Sequence, residues 1–128
     1  MSPSIAARIY TLVGGAAGVQ ALIGNPARLY PMRAPQGAAL PRVVYTIVSE
    51  VPINSIGDAN TGMTRARVQF DCYARLAADA VTLADAVTTA LQSGTAAFAV
   101  PAYDIRDVGE DEIESARRIV DAVIHVKE

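Results

Sequence analysis

The sequence predicts an α+β fold with a mostly antiparallel β-sheet, a long helix packed on one face of it and short N-terminal helices. Three observations lead there. Residues 65–73 alternate apolar and polar side chains as a strand does, residues 76–92 carry an apolar stripe at helical spacing, and turn-rich stretches separate further β-branched runs. Strands joined by loops and hairpins, with helices at the start and middle of the chain, are typical of this class.

The N-terminal third predicts two short helices and one short strand. Apolar residues recur at helical spacing over 4–13, and a second helix over 16–23 ends at a Gly-Asn-Pro breaker. Residues 28–32 then predict an extended piece. The prolines and glycine of residues 34–41 predict a loop, because proline offers no backbone donor and restricts the residue before it.

The centre of the chain predicts two strands and the long helix. Residues 43–48 are rich in β-branched side chains and predict a strand. Residues 50–62 contain two Gly, two Asn and a Pro, which predicts a long loop between strands. In the strand over 65–73, one face is apolar and the other polar; the polar side consists of Arg65, Arg67, Gln69, Asp71 and Tyr73.

The last third predicts a β-hairpin with arms over 103–108 and 116–126 and a turn over 109–112. In the second arm, Val120, Ala122, Ile124 and Val126 share one face at a period of two. The predicted element order is therefore α-α-β-β-β-α-β-β, within a single domain spanning residues 1–128.

Composition excludes several classes of protein. Disordered chains have few apolar residues, whereas 52% of this chain is apolar. Because the chain has 24 alanines and no Trp, much of this apolar content lies in small side chains. We therefore expect some of these apolar side chains to be buried against another subunit. The net charge of −2 and scattered arginines lack the concentrated basic footprint of a nucleic-acid binder. A lone Cys72 excludes an intrachain disulfide and a multi-cysteine zinc site.

The uncharged run over residues 9–27 is about long enough to cross a bilayer, but glycines and a proline interrupt it, so we expect no membrane segment. The Gly14–Gly18 stretch is no phosphate loop, because such loops follow a strand and this one follows a helix. We expect neither a cofactor nor a metal site.

Three further candidates for chemistry have structural alternatives. His125 and Asp121 share a strand face and could belong to a Ser-His-Asp site, but no nucleophile motif supports a catalytic reading. Cys72 lies on the apolar side of its strand, which indicates a small buried residue. Five acidic residues within 107–114 lack the ligand spacing of a calcium loop, so a solvated hairpin turn is the preferred interpretation.

The polar face of the central strand is the strongest candidate surface. Arg65, Arg67, Gln69 and Asp71 form a solvated face in a monomer. In a ring-forming protein, the same side chains could pair across subunits, since Arg suits two-point pairing with a carboxylate.

Three stretches together resemble the tail-completion, or tail-terminator, proteins of long-tailed bacteriophages. They are RLYP at 28–31 with APQGA at 34–38 and LPRVVY at 40–45, then ARVQFDCYA at 66–74 leading into the long helix, and finally the closing strand 117–126. The likeness covers most of the chain in the right order.

The resemblance implies a structural virion protein at the tail-neck junction, assembled in the host bacterial cytoplasm, and not an enzyme. It implies a six-fold ring that caps the head-proximal end of the tail tube, ends tube growth and joins the tail to the head connector. Its partners would be further copies of itself, the tube protein and the connector or stopper protein, with DNA only as cargo through the lumen.

For such a ring, we expect the two protruding polar segments, 50–62 and 107–114, to reach neighbouring subunits or the tube end. The candidate interface residues are those of the polar strand face together with Asn54, Ile56, Asp58, Asn60, Glu110, Asp111 and Glu112. The alternatives are another head-tail connector, such as a stopper or head-completion protein, a small α+β enzyme using His125, or a ligand-binding module.

Overall fold

The computed structural model describes residues 5–24, 26–55, 58–93, 98–108 and 116–127. Its elements in chain order are α1 (Ile5–Gly14), α2 (Ala17–Ile23), β1 (Leu29–Pro31), β2 (Arg42–Ser55), β3 (Asp58–Ala74), α3 (Ala77–Gln92), β4 (Phe98–Val108) and β5 (Ala116–Lys127). The predicted order of two helices, three strands, one helix and two strands is confirmed.

The five strands form one sheet in the order β1-β2-β3-β5-β4. β1 runs parallel to β2, and the other three pairings are antiparallel. The sheet is therefore mostly antiparallel, as predicted. The last strand, β5, lies inside the sheet because it pairs with β3 on one side and β4 on the other.

All three described helices pack on one face of this sheet, which we call the helix face. The alternating residues of β3 that were predicted to be apolar are fully buried there, as are their counterparts on β5; they are Ala66, Val68, Phe70 and Cys72 with Val120, Ala122 and Ile124. Leu83, Val87 and Leu91 of α3 and Ile9 and Val13 of α1 join the same core. The buried alanines of α3 allow its backbone to approach the sheet.

The predicted loop over residues 50–62 is wrong. β2 continues to Ser55, and β3 begins at Asp58, with Pro52 opposite Thr64 and Ile53 opposite Met63. Chain-adjacent strands satisfy one another's backbone groups, which outweighs the low strand propensity of Gly, Asn and Pro. β5 ends opposite Met63. We call residues 53–55 and 58–62, the part of the pair beyond that point, the distal hairpin.

Two backbone details mark the loop between β1 and β2. Met32 has a positive φ of 66° and its side chain is 78% exposed. Its amide donates to the carbonyl of Tyr45, which ends the pairing of β1 with β2.

Among the described residues, no single helix has both the length and the apolarity to span a bilayer. Taken together, α1 and α2 reach that length and apolarity, but the pair is bent by 83°.

Candidate interaction surface

The sheet face opposite the helices, which we call the open face, carries the polar residues of β3. Antiparallel register places Arg65 opposite His125, Arg67 opposite Val123 and Gln69 opposite Asp121. The predicted alternation of β3 is confirmed, because its even-numbered neighbours in this stretch face the core. The open face therefore brings polar groups of β3, β5 and β4 into contact.

Arg67 and Asp121 form the strongest contact on this face. The guanidinium donates through Nε to Oδ1 at 3.1 Å and through a terminal nitrogen to Oδ2 at 2.7 Å. Arg106 of β4 approaches the same carboxylate at 3.5 Å. The Asp121 side chain is only 8% exposed, whereas that of Arg67 is 57% exposed. The buried carboxylate of Asp121 is thus paired with arginine side chains that remain largely in solvent.

The electrostatics of this pair follow from its geometry. The hydrogen bonds from Arg67 lower the pKa of Asp121, and the charges of Arg67 and Arg106 act in the same direction against the opposing effect of burial. The hydrogen bond to Asp121 correspondingly raises the pKa of Arg67. Asp121 is therefore held as a carboxylate, and its lowered pKa makes it a weak base, which suits a structural contact.

A second polar cluster lies at the other end of β3. Gln69 donates to Asp71 at 3.0 Å, and Arg117 of β5 donates to the same carboxylate at 3.3 Å. The ring of Tyr73 lies between two guanidiniums, that of Arg42 at 5.0 Å and that of Arg117 at 5.7 Å from its centroid. Arg42, Tyr73 and Arg117 are directly opposite one another on three adjacent strands, so cation–π contacts tie the strands together.

Beside Tyr73, the loop over 32–38 and the open face enclose a groove of about 560 Å³. Its lining is mostly polar and includes Arg33, Arg42 and Asp71. Arg42 also donates to the carbonyl of Ala38 at 3.1 Å, which fixes the loop against the strand.

The residues of the catalytic alternative are separated in the structure. Asp121 and His125 share the open face, but four residues along a strand span about 13 Å, too far for a direct hydrogen bond. The Asp121 carboxylate is already occupied by arginines. Cys72 is fully buried, as predicted, and burial with the nearby Asp71 charge raises the pKa of its thiol to about 12. Within the described ranges, no three His, Cys, Asp or Glu side chains gather as a metal site.

The remaining candidate residues lie elsewhere. Asn54, Asp58 and Asn60 belong to the strands of the distal hairpin, and not to a loop. Ile56, Glu110, Asp111 and Glu112 fall outside the described residues. Asp107, at the start of the acidic segment, lies in β4 and pairs with Arg118 at 2.7 Å.

Sequence reasoning missed the partners of the open-face residues. Arg106 and Arg117 were not among the candidates, although they hold Asp121 and Asp71. The period of two in β5 does place Asp121 on the polar face, which was the available signal. Which arginine meets it depends on the register between β3 and β5, and that register is not visible in the sequence.

Comparison with known proteins decides the family. The family model described as "Tail completion protein gp17" matches residues 7–125, nearly the whole chain. The chain belongs to this family. The tail-completion resemblance of the sequence is therefore confirmed. None of the curated proteins matches the sequence.

A solved structure shares the fold of this tail completion protein. It is a chain of "Virion of native gene transfer agent (GTA) particle", with 18% identity, a TM-score of 0.66, and coverage of 98% of this chain and 96% of that one. Membership of the family makes the protein a structural component of a phage-type tail and of the virion. A structural family of this kind argues against an enzyme, in line with the separation of His125 from Asp121.

Proposed function

We propose that this tail completion protein caps the head-proximal end of the tail tube, ends tube growth and joins the tail to the head connector. The observation that carries the proposal is the family match over residues 7–125. The near-complete overlap of the fold with a chain of a gene transfer agent virion adds support. Such a role needs surfaces for assembly and no set of reacting groups.

The proposed assembly is a six-fold ring, through which DNA passes only as cargo. Ring formation by rotation uses two different surfaces on each subunit. The sheet supports this arrangement because it ends in different strands, β1 and β2 at one side and β4 at the other. Its partners are further copies of the chain, the tube protein and the connector or stopper protein.

The open face is one proposed contact of this ring. Arg67 uses two of its donors on Asp121, while a guanidinium offers five in total. Because the Arg67 side chain is 57% exposed, its remaining N–H groups can donate to an acceptor on a neighbouring subunit. Arg65, Gln69 and Asp71 border the same area.

The distal hairpin and the acidic segment 107–114 are proposed to reach a neighbouring subunit or the tube end. The register supports this role for the hairpin, since β5 stops opposite Met63 and β3 continues beyond it with β2 as its partner. A two-stranded extension of this kind continues past the end of β5, where it is available to a neighbouring molecule.

The role is tested by the morphology of particles made without this protein, viewed in negative stain. We expect tails of irregular or excessive length that are not joined to filled heads. Normal tails alongside unfilled or leaking heads would instead indicate a head-completion protein. Fully joined, infectious particles would contradict the proposal altogether.

The contribution of the distal hairpin is tested separately by replacing residues 54–62 with Asn-Gly. A two-residue turn fits between Ile53 and Met63, which face each other across the two strands. We expect the variant to fold, to keep the thermal stability of the sheet and to fail in joining tails to heads. A full-length variant with Thr61→Ser, at a position of the hairpin outside the candidate interface residues, is the control. Normal infectivity of the shortened variant would contradict the proposed contact.

A further inference from the structure

The groove of about 560 Å³ on the open face, which we call the arginine groove, carries a surplus of positive charge. Its charged lining residues are Arg33, Arg42 and Asp71. Asp71 is buried and already accepts hydrogen bonds from Gln69 and from Arg117, whose positive charge offsets its own. Within the described ranges, neither Arg33 nor Arg42 forms an ion pair with a carboxylate. The groove therefore offers two guanidiniums to an acidic partner.

The contacts of Arg42 leave part of its guanidinium group without a partner. One terminal nitrogen donates to the carbonyl of Ala38 at 3.1 Å, and the centroid of the Tyr73 ring lies 5.0 Å from the guanidinium carbon. The Nε atom is buried and has no hydrogen-bond partner among the described residues. A buried N–H without an acceptor is costly, so a carboxylate that reached it would be bound favourably. Arg33 is exposed and can pair with the same acidic segment.

The chain itself contains a stretch of the opposite charge. Residues 109–115, which join β4 to β5 and which we call the acidic connection, carry four carboxylates and no cationic side chain. The connection lies outside the described residues, but the place where it leaves the sheet is known. Val108, the residue before it, faces Arg117 across β4 and β5. The sequence and the pairing together thus supply a candidate occupant for the arginine groove.

The acidic connection and the arginine groove are attached at the same end of the strands but on opposite sides of the sheet. One row of facing residues crosses four strands, from Arg42 through Tyr73 and Arg117 to Val108. Three strand spacings separate the first of these residues from the last, which is about 14 Å. In a ring whose axis runs along the strands, rotation preserves their common height. The connection of one subunit can therefore meet the groove of the next.

We infer that the arginine groove of each subunit binds the acidic connection of its neighbour. The inference deepens the proposed function, because it rests on the ring. The contact joins two different surfaces, as closure by rotation requires. A guanidinium can donate two hydrogen bonds to one carboxylate, and such charge-assisted bonds are strong. The two arginines that follow the connection in its own chain, Arg117 and Arg118, already pair with Asp71 and Asp107.

A charge exchange between two chains tests the contact. The groove variant combines Arg33→Glu with Gln36→Glu, which places two carboxylates at exposed positions of the groove lining. The connection variant reverses the charge of the acidic connection with Glu110→Arg, Asp111→Arg and Glu112→Arg. Thermal unfolding checks that both variants fold. In a neighbour contact, each variant faces a like charge when it assembles alone, whereas a mixture of the two restores opposite charges.

The variants are supplied, singly and as an equal mixture, to particles that otherwise lack the protein, and joined tails are counted in negative stain. We expect each variant alone to reduce the joined fraction by about tenfold or more, because like charges then oppose each other. The mixture should restore most of it. Arg75→Glu, an exposed position outside the groove lining, is the matched control and should join tails normally. Normal joining by either variant alone, or no recovery in the mixture, would overturn the contact between neighbours.

A second measurement does not depend on the capping role. Purified chains with Gln36→Cys are mixed with chains with Glu112→Cys under mild oxidation, and disulfide-linked dimers are measured by non-reducing electrophoresis. Their yield should exceed that of a control mixture of Gln36→Cys and Asp85→Cys by about tenfold or more, because a disulfide needs Cα atoms within about 7 Å. The buried Cys72 does not compete, since its pKa lies at about 12.

The two measurements separate the contact from the capping role. No excess of dimers over the control would overturn the contact and leave the capping role standing. Fully joined particles in the absence of the protein would overturn the capping role, and the dimer yield would still decide the contact.

Discussion

Arg67 holds the buried carboxylate of Asp121 through two hydrogen bonds, although 54 positions of chain separate the two residues. The contact joins two adjacent strands, β3 and β5, that α3 and β4 separate along the chain. It also affects the chemistry of the open face, because the hydrogen bonds from Arg67 lower the pKa of this carboxylate and so make it a weaker base.

Asp121→Asn should lower the free energy of unfolding by about 1 kcal/mol at neutral pH. Charge-assisted hydrogen bonds are lost, but the partner is exposed, so the effect lies at the low end of the usual range. Chemical denaturation measures it. Asp104→Asn is the matched control, because that side chain is 75% exposed and its loss should change stability by less than about 0.5 kcal/mol.

The same pair predicts a pH dependence. The pKa of Asp121 is lower in the folded protein, so its stabilising contribution is complete above the unfolded pKa of about 3.9 and is lost as pH falls through the folded value. The difference in unfolding free energy between the native protein and Asp121→Asn should stay constant from pH 7 to about pH 4. It should shrink below that, and a difference that grew on acidification would contradict the assignment.

Cys72 should be unreactive in the folded protein. With a pKa near 12, its thiolate at pH 8 is scarcer by about three orders of magnitude than that of an unfolded cysteine, and the sulfur is also inaccessible. Labelling with a thiol-specific chromogenic reagent should be undetectable without denaturant and stoichiometric in its presence. Rapid labelling of the folded chain would show that β3 does not face the core at this position.

Two glycines of the N-terminal region should respond oppositely to alanine. Gly24 has φ 87° and ψ 178°, a conformation confined to glycine, so Gly24→Ala should destabilise by about 1–3 kcal/mol. Gly18 lies within α2, and a Cβ there would meet open space. Gly18→Ala should stabilise by about 0.5–1 kcal/mol. Thermal unfolding of the two variants measures both effects. Destabilisation by Gly24→Ala alone indicates local backbone strain, whereas destabilisation by both indicates that α2 does not accept substitutions in general.

Tyr73→Leu should destabilise the protein by about 1–2 kcal/mol through loss of the two cation–π contacts. Tyr73→Phe keeps a ring between Arg42 and Arg117 and should retain most of the stability. Equal losses in both variants would assign the effect to the hydroxyl. Urea denaturation at low and moderate salt distinguishes these outcomes.

The sequence carried much of the fold because its local signals were strong. The alternation from Arg65 to Tyr73 and the helical stripe of residues 76–92 depend on burial of one face. The structure confirms both, except that Leu76 lies before α3 and is 63% exposed. The element order followed from them. Local composition gave the wrong prediction at residues 50–62, where Pro52 and the asparagines predicted a loop. The pairing of two chain-adjacent strands there outweighs the low strand propensity of these residues.

The candidate surface was only partly predictable. Strand parity put Arg67, Asp71 and Asp121 on a polar face, but the prediction of a simple solvated face did not anticipate two buried carboxylates. Their burial depends on Arg106 and Arg117, which reach them only in the observed register. Register between distant strands is decided by the packed core as a whole and leaves no local trace in the sequence.

The position of β5 inside the sheet also bears on how the chain folds during synthesis. β2 and β3 can pair as soon as both have left the ribosome, but β3 has no partner strand on its other side until β5 has emerged. The exit tunnel withholds the closing residues of that strand until translation has passed well beyond Lys127 or has ended. Nascent chains should therefore expose the long β3 edge throughout elongation, and premature termination within residues 116–127 should leave a product prone to aggregation.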